Sequence, residues 1–303
     1  MESTFHVYFG PQALTAPIEN RKIGPRDCLA ALREGIDDFI AVPTHPIFVG
    51  LFYALGGLAV VGLTSIADAL QLVFPFAAGF ALIGPFFAVG LYELSRRREK
   101  GLAPSWTDAF AVFRSPALPS IVALGLFLFA LFAIWIGVAQ VLYMQLYGPK
   151  PPAAAVPFLH DVLTTDRGWT LIAAGGAIGF CFAALALCVS IVSFPLMLDR
   201  DCGVVPAVVA SMRLAKDNPG AVALWGFLVA ALLVLGSLPL FIGLAVVMPA
   251  LGHATWRFYR RAVARDGAHE VPIVSPGSAD IARNPALRPV WVSLDLFDFL
   301  RRK

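Results

Sequence analysis

The sequence is short of charge, and what charge it has is unevenly placed. Only 14% of its 303 residues are Asp, Glu, Lys or Arg. Ile47–Tyr92 holds a single charged residue, Asp68, while Leu118–Leu146 and Gly220–Thr255 hold none. A soluble protein keeps polar side chains on the outer face of each element, so uncharged blocks this long exclude that class. Apolar runs of 18 or more residues are membrane-spanning helices, because in lipid each backbone polar group must find its partner within its own segment.

Cysteine and histidine are also scarce. The four cysteines form no C-x-x-C pair, and the five histidines fall in no cluster with metal-ligand spacing. Cys28 and Cys202 lie in segments expected on the cytoplasmic side, where thiols stay reduced. Cys181 and Cys188 are seven apart on one spanning helix and read as small packing residues. There is no phosphate-binding glycine loop, no H-E-x-x-H, no Ser/His/Asp spacing and no nucleic-acid module. No cofactor, no metal and no nucleic-acid partner is expected. Nor is a cleavable signal peptide visible: the first apolar run begins near Ile47, behind Arg21, Lys22, Arg26 and Arg33, and reads as an uncleaved anchor.

What is present is an all-α integral membrane pattern. Six spans are expected: about Ile47–Ala67, Ala69–Tyr92, Leu118–Met144, Trp169–Leu198, Ala221–Leu235, and a sixth starting near Pro239 in "GSLP". A proline in a helix's first turn lacks only an N–H that has no partner there. Of 23 Lys and Arg, only Lys150 and Arg167 fall in the expected outer segments. By the positive-inside rule both termini are cytoplasmic, which agrees with an even number of spans. The outer connections are then a tight turn near Asp68, a Pro-rich loop Tyr147–Gly168 and the "GSLP" turn.

The three hairpins resemble copies of one unit. Each opens with a short amphipathic cytoplasmic helix ending at an X-Pro step: "DCLAALREGIDDFIAVPTHP" (Leu29, Leu32, Ile36, Phe39), "PSWTDAFAVFRSP" (Trp106, Phe110, Phe113) and "PAVVASMRLAKDNP" (Val205, Val208, Met212). The residue before proline avoids the helical region, so these helices should stop at Pro46, Pro116 and Pro219. The second span of each hairpin carries a helix-kink proline: Pro85, Pro195 and Pro249. Arginines follow Pro85 at Arg96 and Arg97, and Pro249 at the same offsets, Arg260 and Arg261; after Pro195 the nearest is Arg200. The expected layout is a cytoplasmic N-terminal tail, residues 1–26, a six-span domain, 27–261, with pseudo-threefold repeats of about 27–98, 104–200 and 206–261, and a cytoplasmic C-terminal tail, 262–303. Three kinks at one depth would splay the helix ends.

Ionisable residues near a span are the places to look for function. They are His253, Asp199 and Glu93, with Asp68 in the first outer turn. Glu93 has Arg96 and Arg97 at i+3 and i+4, which predicts a surface ion pair. His253 lies roughly 10 Å along a helix from Arg260, at the inner rim of the bilayer. It has no second histidine nearby, so packing or a hydrogen bond to Asp199 or Glu93 is preferred to metal or haem ligation. Gln140, Ser190 and Ser193 are polar and uncharged within spans; a glycine- and alanine-rich face on the fourth span permits close helix packing, within the chain or between copies.

Four blocks together resemble the DUF2189 family of predicted bacterial integral membrane proteins: "RKIGPRDCLAALREGIDDFIAVPTHPIFVGLFYALGG", "GPFFAVGLYELSRRREKG", "SFPLMLDRD" and "LGHATWRFYR". The resemblance implies a multi-pass bacterial inner-membrane protein of no assigned activity. A respiratory oxidase core needs several haem-ligating histidines inside its spans; only His253 is near a span interior here, which leaves an accessory place beside such a complex. The favoured expectation is a non-catalytic accessory, assembly or scaffold subunit whose partners are the bilayer and another membrane complex or a second copy. The alternative is a transporter or channel for a small or lipid-like solute. A lipid-directed enzyme using His253 and Asp199 ranks last, because no catalytic constellation accompanies them.

Overall fold

The computed structural model describes residues 18–42, 57–58, 62, 69–239, 242–265, 270–271 and 273. Apart from 57–58 and 62, the first expected span lies outside the described residues, as do Asp68 and the C-terminal tail beyond Ile273. Residues up to Glu270 belong to one compact unit; the second unit, Val271–Lys303, has only Val271 and Ile273 described.

The first helix, α1 (Pro25–Ala41), starts on a proline at a position that needs no donor. The Gly24 N–H donates to Asp27 Oδ2 at 2.9 Å. It stops just before the Val42–Pro43 step rather than at Pro46, because the first proline met already excludes the helical region from the residue ahead of it. Its buried stripe is Cys28, Ala31, Gly35 and Asp38, all small or polar, while the larger Leu29, Ile36 and Ile40 point outward. A water-soluble helix does the reverse. The small face allows α1 to lie close against the last helix, α10 (Leu244–Ala262). A Cβ built at Gly35 would sit 2.4 Å from Ala254 Cα. Gly35→Val is therefore expected to cost about 1–3 kcal/mol by overpacking. Limited proteolysis in detergent should cut α1 faster in this variant; an unchanged cleavage rate would contradict the close crossing.

Among the described residues three helical segments are long and apolar enough to cross a bilayer. They are Leu118–Tyr147, Asp166–Arg200 and Pro219–Ser237; the bent pair Leu70–Gly79 and Ala81–Phe87 makes a fourth. By element these are α2 (Val73–Phe87), led in by a 3₁₀ turn at Leu70–Leu72, α4 (Leu118–Tyr147), α6 (Asp166–Ser190) with its continuation α7 (Ser193–Arg200), and α9 (Pro219–Ser237). Their outer faces carry exposed Phe127, Phe129, Phe180, Phe227 and Val234. That is the surface a lipid environment stabilises and water does not. Between these helices lie α3 (Val89–Glu99), the 3₁₀-helix Trp106–Arg114, α5 (Ala155–Thr164) and α8 (Val204–Asp217).

Several expectations are corrected. The segment Tyr147–Gly168 is no plain loop, since it contains α5. Pro157 there occupies the first turn, where its missing N–H costs nothing. The last helix begins at Leu244, five residues after Pro239, so that proline is not in its first turn. Gly236 and Gly243 close the preceding turn: a Cβ on Gly243 would lie 2.7 Å from the Gly236 carbonyl oxygen. The proline distortions also differ from one another. A proline ring crowds the carbonyl four residues upstream, and the disturbances fall there. The α2 bend of 41° is between Gly79 and Ala81, ahead of Pro85. The α6/α7 break is at Ile191–Val192, ahead of Pro195. Before Pro249 the upstream residue, Ala245, is already the second residue of α10, which then runs unbroken through the proline.

On one face of the molecule the amphipathic segments pack in turn. The segment α1 packs on α10, the 3₁₀-helix on α3, and α8 on α6 and α7. The chain entering α1 and the chain leaving α10 meet on this same face. Asn20 and Val263 form an antiparallel bridge, the Arg21 N–H donates to the Ala262 carbonyl at 2.8 Å, and the Ala264 N–H to the Glu19 carbonyl at 2.9 Å.

Candidate functional site: a buried ion-pair junction

The ends of α3, α7 and α10 converge on that face instead of splaying. Three buried carboxylates, Asp199, Glu93 and Asp38, organise the contact, with the partly buried Glu99 beside them. Asp199, on α7, accepts from the Tyr259 hydroxyl at 2.7 Å and from Arg260 Nη1 and Nη2 at 2.8 and 3.2 Å. Arg96 Nε of α3 lies 3.7 Å from its other side. Glu93 accepts from Arg96 at 3.0 Å and Arg97 at 2.8 Å. This is the i+3/i+4 pair the spacing predicts, but it is buried rather than at the surface. Arg97 reaches on to Asp108 of the 3₁₀-helix at 2.9 Å. Glu99 accepts from Trp256 Nε1 at 3.0 Å and Arg260 Nε at 2.9 Å, joining α3 to α10. The Arg260 guanidinium also stacks over the Trp256 ring, 4.8 Å from its centroid.

The third carboxylate is one that sequence reasoning missed. Asp38 of α1 is fully buried and accepts from Arg257 Nε and Nη2, both at 2.7 Å, from Arg98, and from the Ser95 hydroxyl at 3.0 Å. A signal existed: Asp38 continues the i, i+3, i+7 row of Cys28, Ala31 and Gly35, the small face of an otherwise bulky helix.

His253 is fully buried, and its partner is neither Asp199 nor Glu93. Its Nδ1 lies 2.6 Å from Ser95 Oγ. Ser95 has a single hydroxyl proton and directs it to Asp38. The Nδ1 of His253 must then carry the ring proton and donate to Ser95. The result is a relay, His253 to Ser95 to Asp38, linking α10, α3 and α1. Nε2 is buried with no hydrogen-bond partner among the described residues. No group of three His, Cys, Asp or Glu suited to a metal ion occurs among the described residues. The geometry gives the polar residues one evident task, to hold helix ends together out of water.

The polar positions inside the spans are also accounted for. Gln140 Oε1 accepts from Gln71 Nε2 at 3.2 Å. Ser190 bonds back to the Ala186 carbonyl at 2.7 Å, and Ser193 to the carbonyls of Val189 and Ala207. These are bonds that satisfy a hydroxyl in an apolar setting. Away from the junction, an apolar crevice of about 230 Å³ opens between α2, α4 and α6. Phe74 and Phe180 flank it, Gly176 and Gly179 form one wall, and Trp135 lies within it with its Nε1 donating to the Pro75 carbonyl at 3.0 Å.

The cysteines supply a check on this packing. Burial pushes the Cys202 thiol, in the α7–α8 turn, up to about 12. Burial, then the neighbouring Asp27, also raises that of Cys28, whose Sγ contacts the Ala221 carbonyl. Reaction requires the thiolate, and at pH 8 about one part in ten thousand of a thiol at pKa 12 is ionised. Both should resist maleimide at pH 7–8 in the folded protein, with labelling rising as pH increases. Cys181, exposed only on the lipid-facing middle of α6, should also resist a water-borne maleimide, because reaction there lacks the water that supports a thiolate. Rapid modification of Cys202 at neutral pH would show that the turn is open.

A chain whose described residues are helical, with several helices long and apolar enough to cross a bilayer packed beside a buried ionic junction, is a multispanning integral membrane protein. Within that class, residues 73–199 match the profile of the DUF2189 family, described as a predicted integral membrane protein. The matched stretch runs from α2 to Asp199 and so includes two of the three helix ends in the junction, those of α3 and α7. Searches of curated proteins and of solved structures gave no match.

Proposed function

We propose that this protein is a six-span scaffold of the bacterial inner membrane, an accessory or assembly subunit for another membrane complex, with both termini cytoplasmic. The observation that carries the reading is the junction itself. Of the residues a catalytic or transport reading would need, His253 bonds to Ser95 of α3 and Asp199 to Arg260 of α10, while Glu93 holds Arg96 and Arg97 of its own helix, which reach toward Asp199 and Asp108. Charges so paired serve position rather than chemistry. The pairing of residues 19–21 with 262–264 supports an even number of crossings between them. The concentration of Lys and Arg supports placing that face in the cytoplasm. The packing order supports the threefold repeat: the amphipathic segment of the first unit sits on the last helix of the third, that of the second on the first, and that of the third on the second.

The test is recovery of the tagged native protein in mild detergent, with mass spectrometry of co-purifying proteins and lipids. One membrane complex recovered in fixed stoichiometry is expected. Recovery of the protein alone, together with solute flux in reconstituted liposomes, would sink the reading. The crevice between α2, α4 and α6 favours a second reading, a carrier for a lipid-like solute. In that case bulky substitution at Gly176, beside which a Cβ meets nothing within 4 Å, should abolish flux without unfolding the protein.

A further inference from the structure

The helix α5 presents an apolar stripe that nothing within the described fold covers. Val156, Leu159 and Leu163 are 78%, 58% and 50% exposed. They fall at i, i+3 and i+7 and so share one face. His160 and Thr164, also exposed, lie on the adjoining side. The opposite face is fixed in place. Phe158 meets the rings of Tyr143 and Tyr147 edge-on, with centroids 6.0 and 5.6 Å away. Arg167 grips Asp161 through two bonds, at 3.1 and 2.8 Å, and covers the Tyr147 ring at 4.7 Å. That guanidinium holds the half-buried Asp161 carboxyl below its usual range. Gly168 lets α5 close onto the start of α6, since a Cβ there would lie 2.3 Å from the Val162 carbonyl oxygen. The stripe therefore cannot roll inward.

Its depth follows from the helix before it. α4 has 30 residues, roughly 45 Å at the α-helical rise, against a hydrocarbon core of about 30 Å. Its far end, Tyr147, thus reaches the headgroup region, and α5 begins only a few residues later. The adjacent ends of α4 and α6 are themselves apolar and exposed, at Val141, Met144, Trp169 and Ile172, so the stripe continues a lipid-facing surface.

We propose that α5 is an interfacial anchor, seating Val156, Leu159 and Leu163 in the acyl-chain boundary of the leaflet opposite the ion-pair junction, with phospholipid as the occupant of that face. Short amphipathic helices bind this boundary by apolar burial, with their polar side toward water. The assignment is independent of the scaffold reading and holds equally for a carrier.

The experiment is site-directed spin labelling. Single cysteines are placed at 156, 159, 160, 163 and 164 in a chain carrying Cys181→Ala and Cys188→Ala. The full-length protein is reconstituted in phosphatidylcholine/phosphatidylglycerol vesicles, and label collisions with oxygen and with a water-soluble nickel chelate are measured. All five positions are exposed, so none needs room inside the fold. The oxygen-to-nickel accessibility ratio is expected to be several-fold higher at 156, 159 and 163 than at 160 and 164. Nickel access equal at all five positions would overturn the proposal, placing α5 in water. Low access to both reagents at the three apolar positions would overturn it too, placing a protein partner or second copy there. Gly168→Val, which pushes α5 off α6, should bring the ratio at 159 down toward that at 160; no change would contradict the fixed seating.

Discussion

Asp199→Ala is expected to lower stability by about 3–5 kcal/mol, the usual effect of removing one partner from a buried ion pair. Asp199 is fully buried, and its main partner Arg260 is only 9% exposed. Without the carboxylate, Arg260 keeps Glu99 and Glu270 but loses its two-point contact. The Tyr259 hydroxyl loses its acceptor in a buried site, which alone costs about 1–3 kcal/mol. In detergent the apparent melting temperature should fall by roughly 6–20 °C for a chain of this size class. Asp199→Asn keeps an acceptor for Tyr259 and should fall less. The double variant Asp199→Leu with Arg260→Met removes both charges but also takes Arg260 from Glu99 and Glu270 and leaves the Tyr259 hydroxyl without its acceptor, so only part of the loss should return. A melting temperature unchanged in Asp199→Ala would remove the junction from any account of stability.

Asp38→Ala is expected to act more locally. Its cation partners are better hydrated, Arg98 being 35% and Arg257 18% exposed. Solvent therefore offsets part of the loss, and about 2–3 kcal/mol is expected rather than the full buried-pair penalty. The visible result should be loosening of α1 from α10, because Asp38 is the buried charged anchor of that contact, the other pairs, Arg261 with Asp27 and Glu34, being more exposed. Cys28 lies in the same buried row and should become reactive to maleimide at neutral pH, while Cys202 stays protected. If Cys28 remained unreactive, the close packing of Gly35 on Ala254 and the pairs of Arg261 with Asp27 and Glu34 would be enough to hold α1.

Much of the helical layout was legible because it depends on local properties. The uncharged blocks located the long helices, and the i+3/i+4 spacing of Glu93 with Arg96 and Arg97 located a real ion pair. What the sequence could not convey was which face of a helix turns inward once lipid replaces water outside. In α1 the bulky Leu29, Ile36 and Ile40 face outward, as suits an amphipathic segment lying on lipid, but nothing local marks Cys28, Ala31, Gly35 and Asp38 as the packed row. Asp37 and Asp38 are neighbours of the same type, and only tertiary packing distinguishes the exposed one from the buried one. His253 finds Ser95 across 158 residues of sequence, a pairing that no local spacing encodes. The helix α5 was hidden by its prolines, which read as loop although one of them fits the first helical turn.

The contact of α1 with α10 has a consequence for biosynthesis. Asp38 and Arg257 are separated by 219 positions. At about 5–20 residues per second, translation leaves Asp38 waiting roughly 10–45 s before its partner is made. During that interval α1 lacks its main docking surface, α10, yet its outward Leu29, Ile36 and Ile40 suit it to rest on the bilayer. The first helix made would thus be among the last to lock. A translation product stopped before α10 would keep Arg98 and Ser95 beside Asp38 but lack the two-point clasp of Arg257, leaving the small face of α1 uncovered as a mark by which a quality-control protease could tell unfinished chains from completed ones.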